Sequence, residues 1–389
     1  MRLCAVAIVL TIVLASGHAP AWAQAGWYVI PSFQVTEVFD DNIFGTPSGQ
    51  RSDFISRFTP GLQAGYRSAP LTLLANAAFD AEVFANTPEQ NDATSSKRAG
   101  MNLKYLPIRP LTLGLDVTYT ETRTLNTLAQ SLTLTPDIPA NTLEFGRRQA
   151  TALSAASSVA YQFTPVTSGT AGYSYTHTSL EGESTNSVHQ PSLGLSHRFT
   201  PLDTGSFDYR LSVFEDSTSS TTTITHAATL GWTRPLTPQT TVSLKAGPRF
   251  SGGTVSPEVS GFLGHEFKVF DQRARASLSY SRSEGVVVGQ AGTVQAQSVT
   301  GSIGFEPLRS LQVSLGGSLT KLSGSTGSNS TVSDTTTYGV TVDASYPILR
   351  WLAARASYRY SLQDQNTGNI RHNVFSLGLS ATYPIRIDQ

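Results

Sequence analysis

Apolar and polar positions alternate along most of the chain, most clearly in its last hairpin. Leu352, Ala354, Ala356, Tyr358 and Tyr360 share one parity, against Ala353, Arg355, Ser357, Arg359 and Ser361. The returning arm sets Phe375, Leu377, Leu379, Ala381 and Tyr383 against Ser376, Gly378, Ser380 and Thr382. A period of two belongs to a β-strand, whose successive side chains leave opposite faces of the pleat. Leu111, Leu113, Leu115, Val117 and Tyr119 oppose Thr112, Gly114, Asp116, Thr118 and Thr120 in the same way. No long segment carries a helical period.

The alternating arms recur about every 35–40 residues, a repeat worth reading before anything else. Its marker is an aromatic of the apolar parity just before a short turn, often followed by proline. Examples are Tyr105-Leu-Pro107, Phe163-Thr-Pro165, Phe199-Thr-Pro201, Phe305-Glu-Pro307, Tyr346-Pro347 and Tyr383-Pro384. Proline has no N–H to give to a ladder, so it marks the end of pairing. Longer polar connections alternate with these turns: 40–53, 86–98, 125–147, 179–186, 216–222, 252–257, 284–292, 323–334 and 363–370. Nine long loops and eight short turns predict 18 strands, or 16 with one hairpin fewer, and both ends of the sheet on the short-turn side.

A soluble sandwich alternates too, with its polar face outward. Rings gathered at one height and long loops confined to one side fit the other solution, a lipid-facing wall around water. The expectation is therefore an all-β fold: a transmembrane antiparallel up-and-down β-barrel over residues 24–389. Residues 1–23 are expected to be a cleaved secretory signal peptide. Arg2 precedes the apolar run Leu3–Ala15, and Ala21-Trp22-Ala23 supplies a small-x-small cleavage site. The expected address is the outer membrane of a Gram-negative bacterium.

Composition narrows the chemistry. The chain's one cysteine, Cys4, lies in that leader, which excludes a disulfide framework and a thiol nucleophile. Charged residues are 14% of the chain and cancel to a net charge of +0, so no basic signature for nucleic acid is present. The histidines His177, His189, His197, His226, His265 and His372 fall singly on different arms, in no metal-type pair. Neither a G-x-S-x-G elbow nor a phosphate loop occurs. Enzymatic activity and a bound cofactor or metal are accordingly not expected.

A barrel this wide holds more space than side chains can fill, so the residues of polar parity would line an aqueous channel. The cations of that parity are Arg57, Arg67, Lys104, Arg198, Arg210, Lys245, Arg249, Lys268, Arg273, Arg275, Arg355 and Arg359. The carboxylates are Asp80, Glu82, Asp116, Asp208, Glu266 and Asp343. A basic excess favours anions in a pore; pairing across neighbouring strands would instead spend it. The longest loop, 125–147, is a candidate constriction, with Pro136, Asp137, Pro139, Glu144 and Arg147, then Arg148 beyond it. Asp40-Asp41-Asn42 offers adjacent oxygens for calcium but lacks EF-hand spacing, and reads better as a turn or strand cap.

The run Phe39-Asp40-Asp41-Asn42-Ile43-Phe44 after the first strand, with the hairpin rhythm over residues 26–389, resembles a family of outer-membrane β-barrel porins often encoded beside exopolysaccharide or exosortase genes. The segment Ser376–Tyr383 is similar to the signal read by the barrel-assembly machinery, but the chain continues to Gln389 instead of ending on an aromatic. The resemblance implies a passive conduit in the lipid bilayer, with secreted polysaccharide as a cargo and polysaccharide export components as partners. A closed structural or adhesion barrel is the alternative.

Overall fold

The computed structural model describes residues 26–123, 140–141, 147–183, 185–217, 221–269, 271–324, 334–365 and 368–386. Within them the chain forms β1 (Gly26–Asp40), β2 (Asp53–Arg67), β3 (Leu71–Phe84), β4 (Asp92–Ile108) and β5 (Leu111–Thr122). After the two-residue β6 (Ala140–Asn141) come β7 (Ala150–Thr164), β8 (Thr167–Leu180), β9 (Asn186–Arg198), β10 (Thr204–Asp216) and β11 (Thr221–Thr237). Then follow β12 (Thr240–Ser251), β13 (Thr254–Val269), β14 (Gln272–Val287), β15 (Val294–Leu308) and β16 (Leu311–Gly324). The chain closes with β17 (Thr335–Leu349), β18 (Leu352–Gln365), β19 (Gly368–Thr382) and the short β20 (Ile385–Arg386).

Each long strand pairs antiparallel with its neighbours in sequence, β5 passing directly to β7. The ladder returns to its start, because β19 pairs with β1 from Ser32↔Thr382 to Asp40↔Val374. The wall is thus a closed up-and-down barrel of 18 antiparallel strands, as the hairpin rhythm predicts. Closure removes both sheet edges, which no open sheet of this length could leave in lipid.

The apolar parity faces outward and stays exposed: Leu377 is 56% accessible, and Leu193, Leu230, Leu244 and Leu278 lie equally bare. So broad an apolar surface on the outside of a closed wall is the surface of a membrane-spanning barrel. Aromatic pairs gather near the short turns, among them Trp27–Tyr66 and Tyr161–Phe163, each with ring centroids 5.2 Å apart. In the turn after β9 the Thr200 hydroxyl and the Trp232 indole N–H donate to Asp203, which holds that carboxyl below its ordinary range. The prolines do not end pairing as expected: Pro235 and Pro347 themselves have cross-strand partners, and the ladders only shift register beside them and between Phe305 and Leu308 before closing at the turn.

The long loops are less uniform than the sequence suggests. The connection expected over 252–257 is a tight turn at Gly252-Gly253, with φ of 53° and 80°, and Pro257 lies inside β13. Positive φ at two successive positions is what a two-residue hairpin turn demands, and glycine supplies it without strain. The loop expected over 86–98 ends early, because β4 begins at Asp92.

Candidate functional site: the lumen

The register carries the polar parity unbroken around the inner face. Thr36 stands beside Arg57, Arg57 beside Glu82, Glu266 beside Arg275, and Asp343 beside both Ser314 and Ser357. Hydroxyls bond across strands on this face, as in Ser277–Ser302 at 2.7 Å and Ser357–Ser376 at 2.6 Å. The lumen holds a cavity of about 960 Å³, on which Arg57, Arg273, Arg275, Arg355 and Arg359 all open.

Five of the twelve cations of this parity are neutralised. Arg57 gives two hydrogen bonds to Glu82 Oε1, at 2.9 and 2.7 Å. Lys245 meets Asp208 at 2.9 Å and Arg275 meets Glu266 at 2.5 Å. Arg210 pairs with Glu258. Arg249 lies 3.4 Å from Glu284, both side chains almost wholly buried, at 3% and 2% exposure. Arg98, which the loop pattern places outside the wall, belongs to β4 and grips Asp80 with two bonds of 2.9 and 2.8 Å. Asp116 accepts a hydrogen bond from Asn102.

Arg67, Lys104, Arg198, Lys268, Arg273 and Arg355 are exposed and have no ion pair among the described residues. Arg67 ends β2, Arg198 ends β9, and Lys268 and Arg273 flank the turn from β13 to β14. With Lys104 near the end of β4, they lie toward the short-turn end of the wall, which Asp203, Asp271 and Glu306 share. Arg359 lies two same-face positions along β18 from Arg355, opposite Thr341.

At the long-loop end the inner face changes character, since its residues there are buried. On the β1–β3 side the loop after β1 covers it, with Ile43 and Phe44 on Val38, Ile55 and Phe84; from β9 to β12 the cover is the tip of the β14–β15 hairpin. Pairing of β14 with β13 stops at Arg282↔Val259, whereas pairing with β15 continues to Gly285↔Val294. Beyond that point the hairpin leaves the wall and crosses the lumen. Glu284 accepts from Thr225 on β11 at 3.1 Å and from Ser251 on β12 at 3.3 Å. Val286 packs on Val188 and Phe214, which project inward from β9 and β10. The Asn186 amide donates to the carbonyls of Val287 and Gln290, at 3.2 and 3.0 Å.

Part of the candidate constriction loop reaches the same place. Ala140–Asn141 runs parallel to Val286–Val287. Arg147 is drawn inside, its guanidinium 2.7 Å from Glu82 Oε2 and 4.6 Å above the Phe84 ring. Arg148 turns to solvent with Glu183, 2.6 Å away. Pro136, Asp137, Pro139 and Glu144 lie outside the described residues.

The Asp40-Asp41-Asn42 run joins the first strand to the last. Asn42 has 0% exposure; its amide donates to Thr46 O and Arg371 O at 2.9 and 3.0 Å, and its oxygen accepts from Thr46 N. Asp40 bonds His372 at 2.7 Å, and Asp41 takes two bonds from Asn373, at 2.7 and 2.6 Å. Asp40, Asp41 and His372 have ligand atoms within 4.8 Å of one another, but their oxygens already serve this seam. The arrangement is a cap across the closure of the barrel.

No protein-family model matches the chain, and no curated protein matches its sequence. Among solved structures it is similar to OccAB4 of Acinetobacter baumannii, with a TM-score of 0.49 and 13% identity over 93% of this chain and 99% of that one. It is similar also to OpdQ of Pseudomonas aeruginosa, with a TM-score of 0.48 and 11% identity over 92% and 98%. OccK2 (OpdF) of the same organism, solved in complex with glucuronate, gives 0.48 and 10% over 93% and 98%.

The lumen acids Glu258, Glu284 and Glu306 escape the sequence reading: Glu284 heads a stretch assigned to a loop, Glu258 directly follows another, and Glu306 sits inside a turn marker. The inward hairpin escapes it as well. Its one signal is Val286-Val287-Val288, three consecutive valines in a connection whose other residues are glycine, Glu284, Gln290 and Ala291.

Proposed function

We propose that the protein is an outer-membrane channel that passes hydrophilic, anionic solutes. In this reading the short turns face the periplasm and the longer loops the outside of the cell, the usual asymmetry of such barrels. One observation carries the reading: most lumen carboxylates are held in ion pairs or hydrogen bonds, while six lumen cations at the mouth and mid-wall have no ion pair among the described residues. Such an excess attracts anions into a wet pore. Passage needs no covalent step and no cofactor. Hydroxyls and glycine along the inner wall also suit secreted polysaccharide, with export components as partners and the barrel-assembly machinery inserting the chain.

The test is the selectivity of the refolded protein in planar bilayers. Arg355→Asp with Arg359→Asp is expected to lower the anion-over-cation permeability ratio by about tenfold, in the manner of a charge ring. An unchanged reversal potential removes the anion reading. The inward hairpin favours one other reading, a closed structural barrel, for which no conductance at all is the expected result.

A further inference from the structure

Most charges that line the lumen cavity answer one another. On the β1–β4 side Arg98 holds Asp80, and Arg57 shares Glu82 with Arg147. Asp40 is bonded to His372, and Glu266 to Arg275. Four charges of the same cavity differ: among the described residues, the side chains of Arg273, Glu306, Asp343 and Arg355 have no hydrogen bond or ion pair. All four belong to one sector, from β14 to β18.

Asp343 and Arg355 stand a single diagonal step apart. Asp343 pairs with Ser357 on β18; Arg355, the next inward residue of that strand, pairs with Ser345, the next inward residue of β17. Such diagonal neighbours lie about 7–8 Å apart. Ser314 flanks Asp343 from β16, and Gly378 of β19 puts no side chain beside Arg355. Arg359, on the other diagonal from Asp343, already has a partner. Asp343 and Arg355 are both exposed to the cavity. Exposed charges gain little by closing into contact, so the gap between them is open to a solute.

What fits between two fixed charges of opposite sign is a molecule that carries both. A plain anion at Arg355 meets Asp343 beside it, and a plain cation at Asp343 meets Arg355. A 2-amino acid satisfies each: its carboxylate takes the guanidinium fork, and its ammonium donates to the Asp343 carboxylate and the Ser314 hydroxyl. Its two charged groups share one carbon, which suits a site one diagonal step wide. We propose that Asp343 and Arg355 form a subsite for a small zwitterion of the amino-acid class. The subsite rests on the channel reading for transport and not for binding. A pore site must also release what it takes, and exposed charge contacts are weak enough to allow it.

The refolded full chain tests binding in detergent micelles and current in planar bilayers. Saturation-transfer NMR with L-alanine, propionate and ethylammonium compares the zwitterion with each half of itself. Alanine is expected to bind about fivefold more tightly than either half, the gain from one further exposed charge contact. Asp343→Asn should abolish that advantage while leaving propionate bound at least as well, and Arg355→Gln should weaken alanine and propionate together. The exchanged pair, Asp343→Arg with Arg355→Asp, should restore the preference for alanine, which a misfolded wall would not do. Equal binding of alanine and propionate by the unaltered protein overturns the proposal, as does an Asp343→Asn protein that keeps the preference. Alanine preference in micelles with no current in bilayers upholds the subsite and removes the channel reading. Anion-selective current without alanine preference does the reverse.

Discussion

Asn42 illustrates how a single side chain can hold a barrel shut. It is fully buried and spans three partners, two of them the backbone of its own loop and one that of β19. Asn42→Ala leaves those groups dry and unpaired, a loss of about 3 kcal/mol at the usual penalty for stranded buried partners. The expected outcome is a lower urea concentration at which the folded, heat-modifiable band disappears from gels; Asp41→Asn should move it less, since Asn can still accept. The motif is visible in the sequence, and so is its reading as a cap. What it caps is not, because Arg371 and Asn373 lie more than three hundred positions away.

At the scale of the strand, parity decides everything, because a shift of one residue exchanges the two faces. Leu377 and Ser376 are neighbours with opposite surroundings: one bare on the outside, the other bonded to Ser357 on the cavity wall. Leu377→Arg places a charge in hydrocarbon and is expected to cost about 2–4 kcal/mol of folding stability in lipid. Ser376→Arg faces water and should leave the same unfolding curve nearly unmoved. Equal effects of the two substitutions would contradict the assignment of the outer face. Turn geometry was harder to read than parity. Gly252-Gly253 closes a hairpin tightly although the polar stretch around it looks like a long loop, and the end of β14 keeps its strand form while leaving the wall.

For the whole molecule the question is where charge remains after pairing. The proposed anion preference draws on Arg67, Lys104, Arg198 and Lys268, which lie toward the short-turn end of the wall. Changing these four to Gln is expected to lower anion entry from the short-turn side and to weaken anion preference at low salt. The effect should fade above about 1 M salt, where the screening length falls to roughly 3 Å. Lys245→Gln with Asp208→Asn removes a charge pair of zero sum and should leave the reversal potential in place.

The strand period, a count of about 18 strands and the apolar outer face were legible in the alternation alone. These are local properties: each follows from side chains a fixed two positions apart and from prolines and rings beside turns. The folded ring alone reveals which cations meet a carboxylate, which connections enter the lumen and where the β13–β14 ladder stops. Those depend on strands far apart in the chain but adjacent around a closed ring, as with Arg249 and Glu284 or Val286 and Phe214. A period of two says which way a side chain points, and the register around the ring says what it meets there.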